Sequence, residues 1–323
     1  MLLAGDIGAT KTLLGIFEPQ SARPRALVVR SFGTLAYPDL TTMLDDFTRG
    51  ISAGQTPIES ACFGVAGPVL GETAELTNAT WRIDGPNIAE RLRLARVALL
   101  NDLQAMAYGV PVLRESEVHT LQEGEVDPWG NIGLIAAGTG LGEAPLQNVD
   151  GRFVPLPSEA GHADFAARTE RDIQLLRWLI GRFGRASVEN VVSGRGLINV
   201  YQAVHAAPCG AVENLQSADA AAAITTAALQ NQCDSCRETL EVFVDAYGAE
   251  AGNLALRTLA TGGLFVGGGI APKILPALTD GRFMRAFLDK APFSSLLAKM
   301  PVKIILNAET ALLGAAVFAS ARR

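Results

Sequence analysis

Three glycine-rich turns, each beside a short apolar run, constrain this chain most. Gly5-Asp6-Ile7-Gly8-Ala9-Thr10-Lys11-Thr12 follows the apolar residues 2–4, and Gly138-Thr139-Gly140-Leu141-Gly142 follows residues 132–136. Gly262-Gly263 and Gly267-Gly268-Gly269 bracket a third run at 264–266. A glycine turn after a buried strand lets backbone N–H groups approach an anionic ligand, because no Cβ intervenes. The first two turns share a design: a buried strand, a small-residue turn with hydroxyls, then a second strand-like run. This repetition points to duplicated domains facing a common cleft; chance similarity between glycine turns is the alternative.

The length agrees with duplication. At roughly 150 residues per domain, 323 residues make two domains, and 49% hydrophobic content excludes intrinsic disorder. Apolar runs at 2–4, 13–17 and 26–29 read as a strand meander, followed by a helix opened by Pro38-Asp39. Residues 97–100 read as a buried strand and 170–260 as overwhelmingly helical. A final strand at 303–306 and a closing helix at 310–320 end the chain.

Charge and targeting narrow the classes further. A net charge of −6 leaves no basic footprint for nucleic acid and makes a membrane-surface role unexpected. Asp6 interrupts the N-terminal apolar run, so no signal peptide is expected, and the longest uncharged stretch is too short to span a bilayer. A cytoplasmic protein is expected. Of the 4 cysteines, Cys233 and Cys236 form a C-x-x-C motif, but no second pair and no nearby histidine completes a tetrahedral set. Free thiols in a helix are the reading adopted.

Several residues have the chemistry of a phosphate and polyol site. Asp6 offers a hard oxygen for magnesium or its waters, while Thr10 and Thr12 add hydroxyl donors. This turn is not a P-loop, because the glycine spacing before Lys11-Thr12 is wrong and a strand follows. Gly138–Gly142 lacks the crossover helix and ribose-binding acid of a dinucleotide fingerprint. Asn101-Asp102 lies where a strand meets a helix, so Asp102 reads either as a ligand-facing carboxylate or as the helix N-cap. Ser158-Glu159-Ala160-Gly161-His162 places an acid and an imidazole three residues apart, functional or merely structural.

In combination these segments resemble the bacterial glucokinases of the hexokinase type, within the actin-like ATPase and sugar kinase superfamily. The matching text includes the Gly5–Lys11 turn, Phe63-Gly64-Val65-Ala66-Gly67-Pro68, Leu76-Thr77-Asn78-Ala79-Thr80-Trp81 and Leu100-Asn101-Asp102-Leu103. It continues through Gly138–Gly142, Ser158–Phe165, Ser193-Gly194-Arg195-Gly196 and Gly263–Ile270, covering essentially the whole chain. The resemblance implies an α/β fold of two actin-like (ribonuclease H-like) domains, with mixed sheets flanked by helices around a central cleft. One domain would take residues 1–110 plus 310–323, the other residues 111–309.

The implied activity is ATP-dependent phosphorylation of D-glucose at the 6-hydroxyl. By the family pattern Asp102 is the general base, and Asn78, Asn101, Glu159, His162 and Glu189 hold the other hydroxyls. Asp6, Gly8, Thr10 and Lys11 would address the phosphates, Asp6 reaching Mg2+ through water. Gly138 and Thr139 would take the nucleotide phosphates, and Gly267, Gly268 and Gly269 the adenosine side. An aspartate of ordinary pKa, about 3.9, suffices as base because proton removal can be late in phosphoryl transfer.

Family likeness also implies a homodimer with small-molecule sugar and nucleotide ligands, without nucleic acid or membrane. Relatives in the repressor–kinase group carry a Cys/His zinc motif after the Glu-Gly-His segment; residues 166–187 lack cysteine, so no structural zinc is expected. Glu143 is expected to put negative charge near the phosphates, and Pro145 to break the strand ladder unless at an edge. A kinase for another hexose, polyphosphate as donor, and a non-catalytic sugar-binding regulator remain the competing readings.

Overall fold

The computed structural model describes residues 1–49, 57–76, 81–205 and 209–322. In chain order its first strands are β1 (Leu2–Ile7), β2 (Lys11–Glu18), β3 (Arg25–Gly33) and β4 (Ser60–Val65), with helix α1 (Leu40–Arg49) before β4. Next come β5 (Val69–Leu70), β6 (Thr73–Glu75), β7 (Arg82–Asp84), α2 (Gly85–Leu92), β8 (Val97–Asn101) and α3 (Asp102–Gly109). Strands β9 (Val118–Gln122), β10 (Ile132–Ala137), β11 (Leu141–Val149) and β12 (Arg152–Pro155) follow. Helices α4 (Glu170–Phe183), α5 (Gly194–Val204), α6 (Ala220–Leu229) and α7 (Asp234–Thr258) precede β13 (Gly263–Gly267). The chain ends with α8 (Leu275–Leu278), α9 (Arg282–Leu288), α10 (Ser294–Leu297), β14 (Val302–Ile305) and α11 (Thr310–Ala321).

These elements divide into two compact units, Met1–Arg114 with Asn307–Arg323, and Glu115–Leu306. In the first unit the sheet order is β3-β2-β1-β4-β8, with β5, β6 and β7 forming a small sheet of their own. Strands β3, β2 and β1 meander antiparallel, and β4 and β8 then add parallel to β1. The second unit repeats the plan in the order β12-β11-β10-β13-β14, and β9 adds antiparallel outside β14. The duplication expected from two similar turns is therefore a duplication of topology.

Alternation along β1 sends successive side chains to opposite faces. Leu3 and Ile7 pack with Met43, Phe47 and Phe63. Leu2 and Ala4 pack with Leu100, Ala105, Leu312 and Ala315 on the other face. Because both faces are covered, β4 is buried along its whole length. In the second unit Tyr201, Phe243, Tyr247, Phe283 and Phe287 anchor a single core. Among the described residues no helix is long and apolar enough to cross a membrane.

Two glycines set how closely α3 and α11 cross. A Cβ on Gly314 would overlap the Ala105 carbonyl oxygen, and one on Gly109 would overlap that of Thr310. The helices therefore meet backbone against backbone, which brings α11 down onto β1 and β4.

Three sequence readings need correction. First, β11 runs unbroken through Pro145 although it lies between β10 and β12. The Pro145 carbonyl accepts from Leu156 N at 2.8 Å, so its missing N–H faces the point where β12 has ended at Pro155. That local edge is what proline tolerates.

Second, Glu143 is fully buried, with its carboxylate 3.6 Å from the Arg257 guanidinium and the side chain of Glu250 close by. Burial first, and then the Glu250 charge, push its pKa from 4.5 up to about 8, so it is mostly uncharged at neutral pH. It does not supply the negative charge expected beside the phosphates. The folded protein then holds a proton that the unfolded chain releases above 4.5, so this residue costs stability progressively as pH rises from 4.5 to 8. Glu143→Gln is expected to match the wild type near pH 4 and to be the more stable of the two at pH 7.5. Urea denaturation at the two pH values checks this; an equal or lower stability at pH 7.5 would contradict it.

Third, the C-x-x-C pair is not isolated. Cys209 and His205, far away in sequence, fold against Cys233 and Cys236.

Candidate active site

In the first unit the strand register gathers the candidate residues. Ile7 pairs with Val65, and Val65 with Asn101, so β1, β4 and β8 end side by side. Asp6 sits near the end of β1, and Asp102 opens α3 one residue past β8. Gly64 permits this: a Cβ there would lie 2.7 Å from the Ala105 Cβ, so glycine lets α3 settle against β4. Asn101 rather than Asp102 is the N-cap, its Oδ1 accepting from Leu103 N at 3.0 Å. Its Nδ2 donates to the Gly67 carbonyl at 3.3 Å, and Asp102 Oδ1 also accepts from Leu103 N at 2.8 Å.

Asp6 and Asp102 feel one another. Burial chiefly, and the Asp102 charge next, raise the Asp6 pKa to about 6, while Lys11 opposes the rise. A buried carboxylate whose ionisation is held back beside a second carboxylate has the charge arrangement that a cation would relieve.

The Gly8–Lys11 turn closes through Gly8 N donating to the Lys11 carbonyl at 3.1 Å. Thr10 and Lys11 are exposed on it. Buried Thr34 braces the turn from below: its hydroxyl donates to the Gly8 carbonyl at 2.7 Å and lies 2.9 Å from that of Thr12. Asn78 lies outside the described residues.

The second unit brings another group together. Gly138 N donates to the Gly140 carbonyl at 2.8 Å, and Gly194 N, at the start of α5, donates to the Gly138 carbonyl at 2.8 Å. Glu189 Oε2 accepts from Leu141 N at 2.9 Å, fixing that carboxylate at the edge of the turn. Gly161 packs so closely on the Leu141 carbonyl that a Cβ would overlap it, which draws the exposed Glu159 and His162 to the same turn. Gly268, at φ +84°, lies against the Ala137 backbone with no room for a side chain. Ile270 N donates to the Ala137 carbonyl at 3.2 Å. Gly138, Thr139, Glu159, His162, Glu189, Gly267, Gly268 and Gly269 thus all border the ends of β10 and β13.

Sequence reasoning missed Tyr247. Its buried hydroxyl accepts from Ala137 N at 3.2 Å and lies 3.2 Å from the Gly267 carbonyl, so it links the ends of β10 and β13 under both turns. A tyrosine in the middle of a long helix, set among the small residues Ala246, Gly248 and Ala249, is the one available signal.

A family model described as Glucokinase matches residues 3–322 of the chain. A glucokinase of Nostoc punctiforme is 40% identical, the match covering 99% of each chain. Among solved structures, a glucokinase from an Antarctic psychrotroph superposes with a TM-score of 0.88 at 29% identity, covering 98% of each chain. A glucokinase of Streptomyces griseus, of the ROK family and solved with glucose and AMPPNP, superposes with a TM-score of 0.65 at 23% identity, again over 98% of each chain.

Proposed function

We infer that Asp102 is the general base of this enzyme, on the premise that the chain belongs to the glucokinase family and catalyses the ATP-dependent phosphorylation of glucose. The sugar 6-hydroxyl gives its proton to Asp102 as O6 attacks the γ-phosphorus in line, ADP leaves, and glucose 6-phosphate forms. Such transfer has a loose transition state, so proton removal is late and positioning supplies most of the rate. One observation carries the assignment: Asp102 opens α3 beside the in-register ends of β1, β4 and β8, close enough to Asp6 to raise its pKa.

Asn101, Glu159, His162 and Glu189, with Asn78, take the remaining hydroxyls. Each hydroxyl donates and accepts, which a set of amides, carboxylates and imidazole can match. The turn at Gly8, Thr10 and Lys11 and the turn at Gly138 and Thr139 offer backbone N–H groups, hydroxyls and an ammonium to phosphate oxygens. Gly267, Gly268 and Gly269 offer a flat backbone face to the adenosine. The carboxylate of Asp6 and the hydroxyl of Thr10 are hard oxygen donors that fit magnesium, Asp6 through a bound water. When bound, that ion offsets charge on the transferring phosphoryl group. ATP as donor implies that the enzyme works in the cytoplasm.

Sugar preference rests on the hydroxyl-binding set, which differs little between hexose sites. Measured by ADP release with magnesium and ATP, glucose is expected to give a higher kcat/KM than fructose, mannose or N-acetylglucosamine. Fructose turned over far faster than glucose would overturn the substrate assignment.

A further inference from the structure

We propose that His205, Cys209, Cys233 and Cys236 form a tetrahedral zinc site that clamps the end of α5 to the start of α7. Their four ligand atoms lie within 4.8 Å of one another. Cys209 Sγ is 3.7 Å from Cys236 Sγ, and Cys233 Sγ is 3.7 Å from His205 Nε2. Around zinc, with bonds of about 2.3 Å to sulfur and 2.0–2.1 Å to nitrogen, tetrahedral angles put two sulfurs roughly 3.8 Å apart and sulfur and nitrogen roughly 3.6 Å apart. These two separations already match those that a shared metal requires, and no other pair of ligand atoms is more than 4.8 Å apart. A disulfide would need one pair of sulfurs in bonding contact, and all the cysteines are free.

The surroundings suit thiolates and a neutral imidazole. Cys233 is the N-cap of α7, and its Sγ accepts from Cys236 N at 3.5 Å, where the helix's free N–H groups favour negative charge. The Tyr201 hydroxyl donates to Cys209 Sγ at 3.2 Å and accepts from Cys209 N at 2.9 Å, orienting that sulfur from outside the cluster. The His205 ring packs against Tyr201, tilted by 42° with centroids 4.2 Å apart, and its Nε2 lies toward Cys233. On binding, the three thiols lose their protons to solvent and zinc gains three sulfur bonds and one nitrogen bond, leaving the site with one net negative charge.

The clamp has a structural purpose. α5 begins at Gly194, which bonds to the Gly138 carbonyl, and α7 carries Tyr247 beneath the ends of β10 and β13. Fixing the far ends of these two helices steadies the elements that support the glycine turns. The site lies well away in sequence from the segment 166–187, so the lack of cysteine there does not bear on it.

The test is metal analysis of the untagged full-length protein, expressed with zinc and dialysed. The expected result is about one zinc per chain in the wild type. Cys209→Ser and Cys236→Ser should lose it, while Arg177→Ala, at an exposed position of α4, should keep it. Because a serine variant can fail to fold, wild-type protein is also stripped with a strong chelator and titrated with cobalt alone. Sulfur-to-cobalt charge-transfer absorption with tetrahedral visible bands, and a thermal midpoint raised by cobalt or zinc, support the site. Zinc content below about a tenth per chain with no cobalt spectrum, or a disulfide among these cysteines in the freshly purified protein, would overturn it.

Discussion

Replacing Gly314 by valine is expected to cost the folded state about 3 kcal/mol, the upper end of the usual range for overpacking. The position lies where α11 meets α3, and the nearest atoms are the Ala105 carbonyl and the Gly109 backbone nitrogen. Backbone atoms cannot rotate aside as a side chain would, so α11 must withdraw. Withdrawal uncovers Ala311, Leu312 and Ala315, which pack against Leu2, Ala4 and Cys62. Gly181, also inside a helix, meets nothing within 4 Å where a Cβ would stand. Gly181→Ala is therefore expected to stabilise by about 0.5–1 kcal/mol, because alanine loses less chain entropy. Denaturation midpoints of the two variants check the contrast, and a Gly314→Val protein as stable as wild type would refute the packing account.

Asp102→Asn is expected to lower kcat about 10³-fold, within the usual contribution of a general base. The amide keeps the size and polarity of the carboxylate but cannot accept the proton of the 6-hydroxyl at neutral pH. It can still accept from Leu103 N, as Asp102 Oδ1 does at 2.8 Å, so the first turn of α3 should persist. Asn101 remains as the N-cap, independent of the change. Removing the Asp102 charge also relieves one of the influences that raise the Asp6 pKa. The loss should therefore fall on turnover, with ATP affinity unchanged or better.

Glycine-ended strands were readable because both the period of two and the need for Cβ-free turns are local properties. The same holds for Asn101-Asp102, whose place at a strand–helix junction follows from the apolar run before it. Which way a strand residue faces is not local. Glu143 could have pointed to the phosphate turn or to α7, and only the register with Ile135 and the packing of α7 decide. Pro145 was misjudged for a similar reason, since the end of β12 at Pro155 depends on pairing. Tyr247 was hidden because α7 is buried on nearly all sides, leaving no amphipathic pattern to mark a polar contact. Thr34 and the His205–Cys209 pair act across long sequence gaps, which no short motif records. The close crossing at Gly109 and Gly314 likewise exists only once the two helices have met.

If Asp102 moves the proton and leaves sugar binding to its neighbours, its amide variant should separate binding from transfer. Calorimetric titration of glucose into Asp102→Asn, paired with the single-turnover rate of glucose 6-phosphate formation at saturating ATP and magnesium, tests it most directly. The expected glucose Kd lies within about tenfold of wild type, and the expected transfer rate is about 10³-fold lower. A variant that binds glucose and still transfers phosphate at a rate comparable to wild type would contradict it.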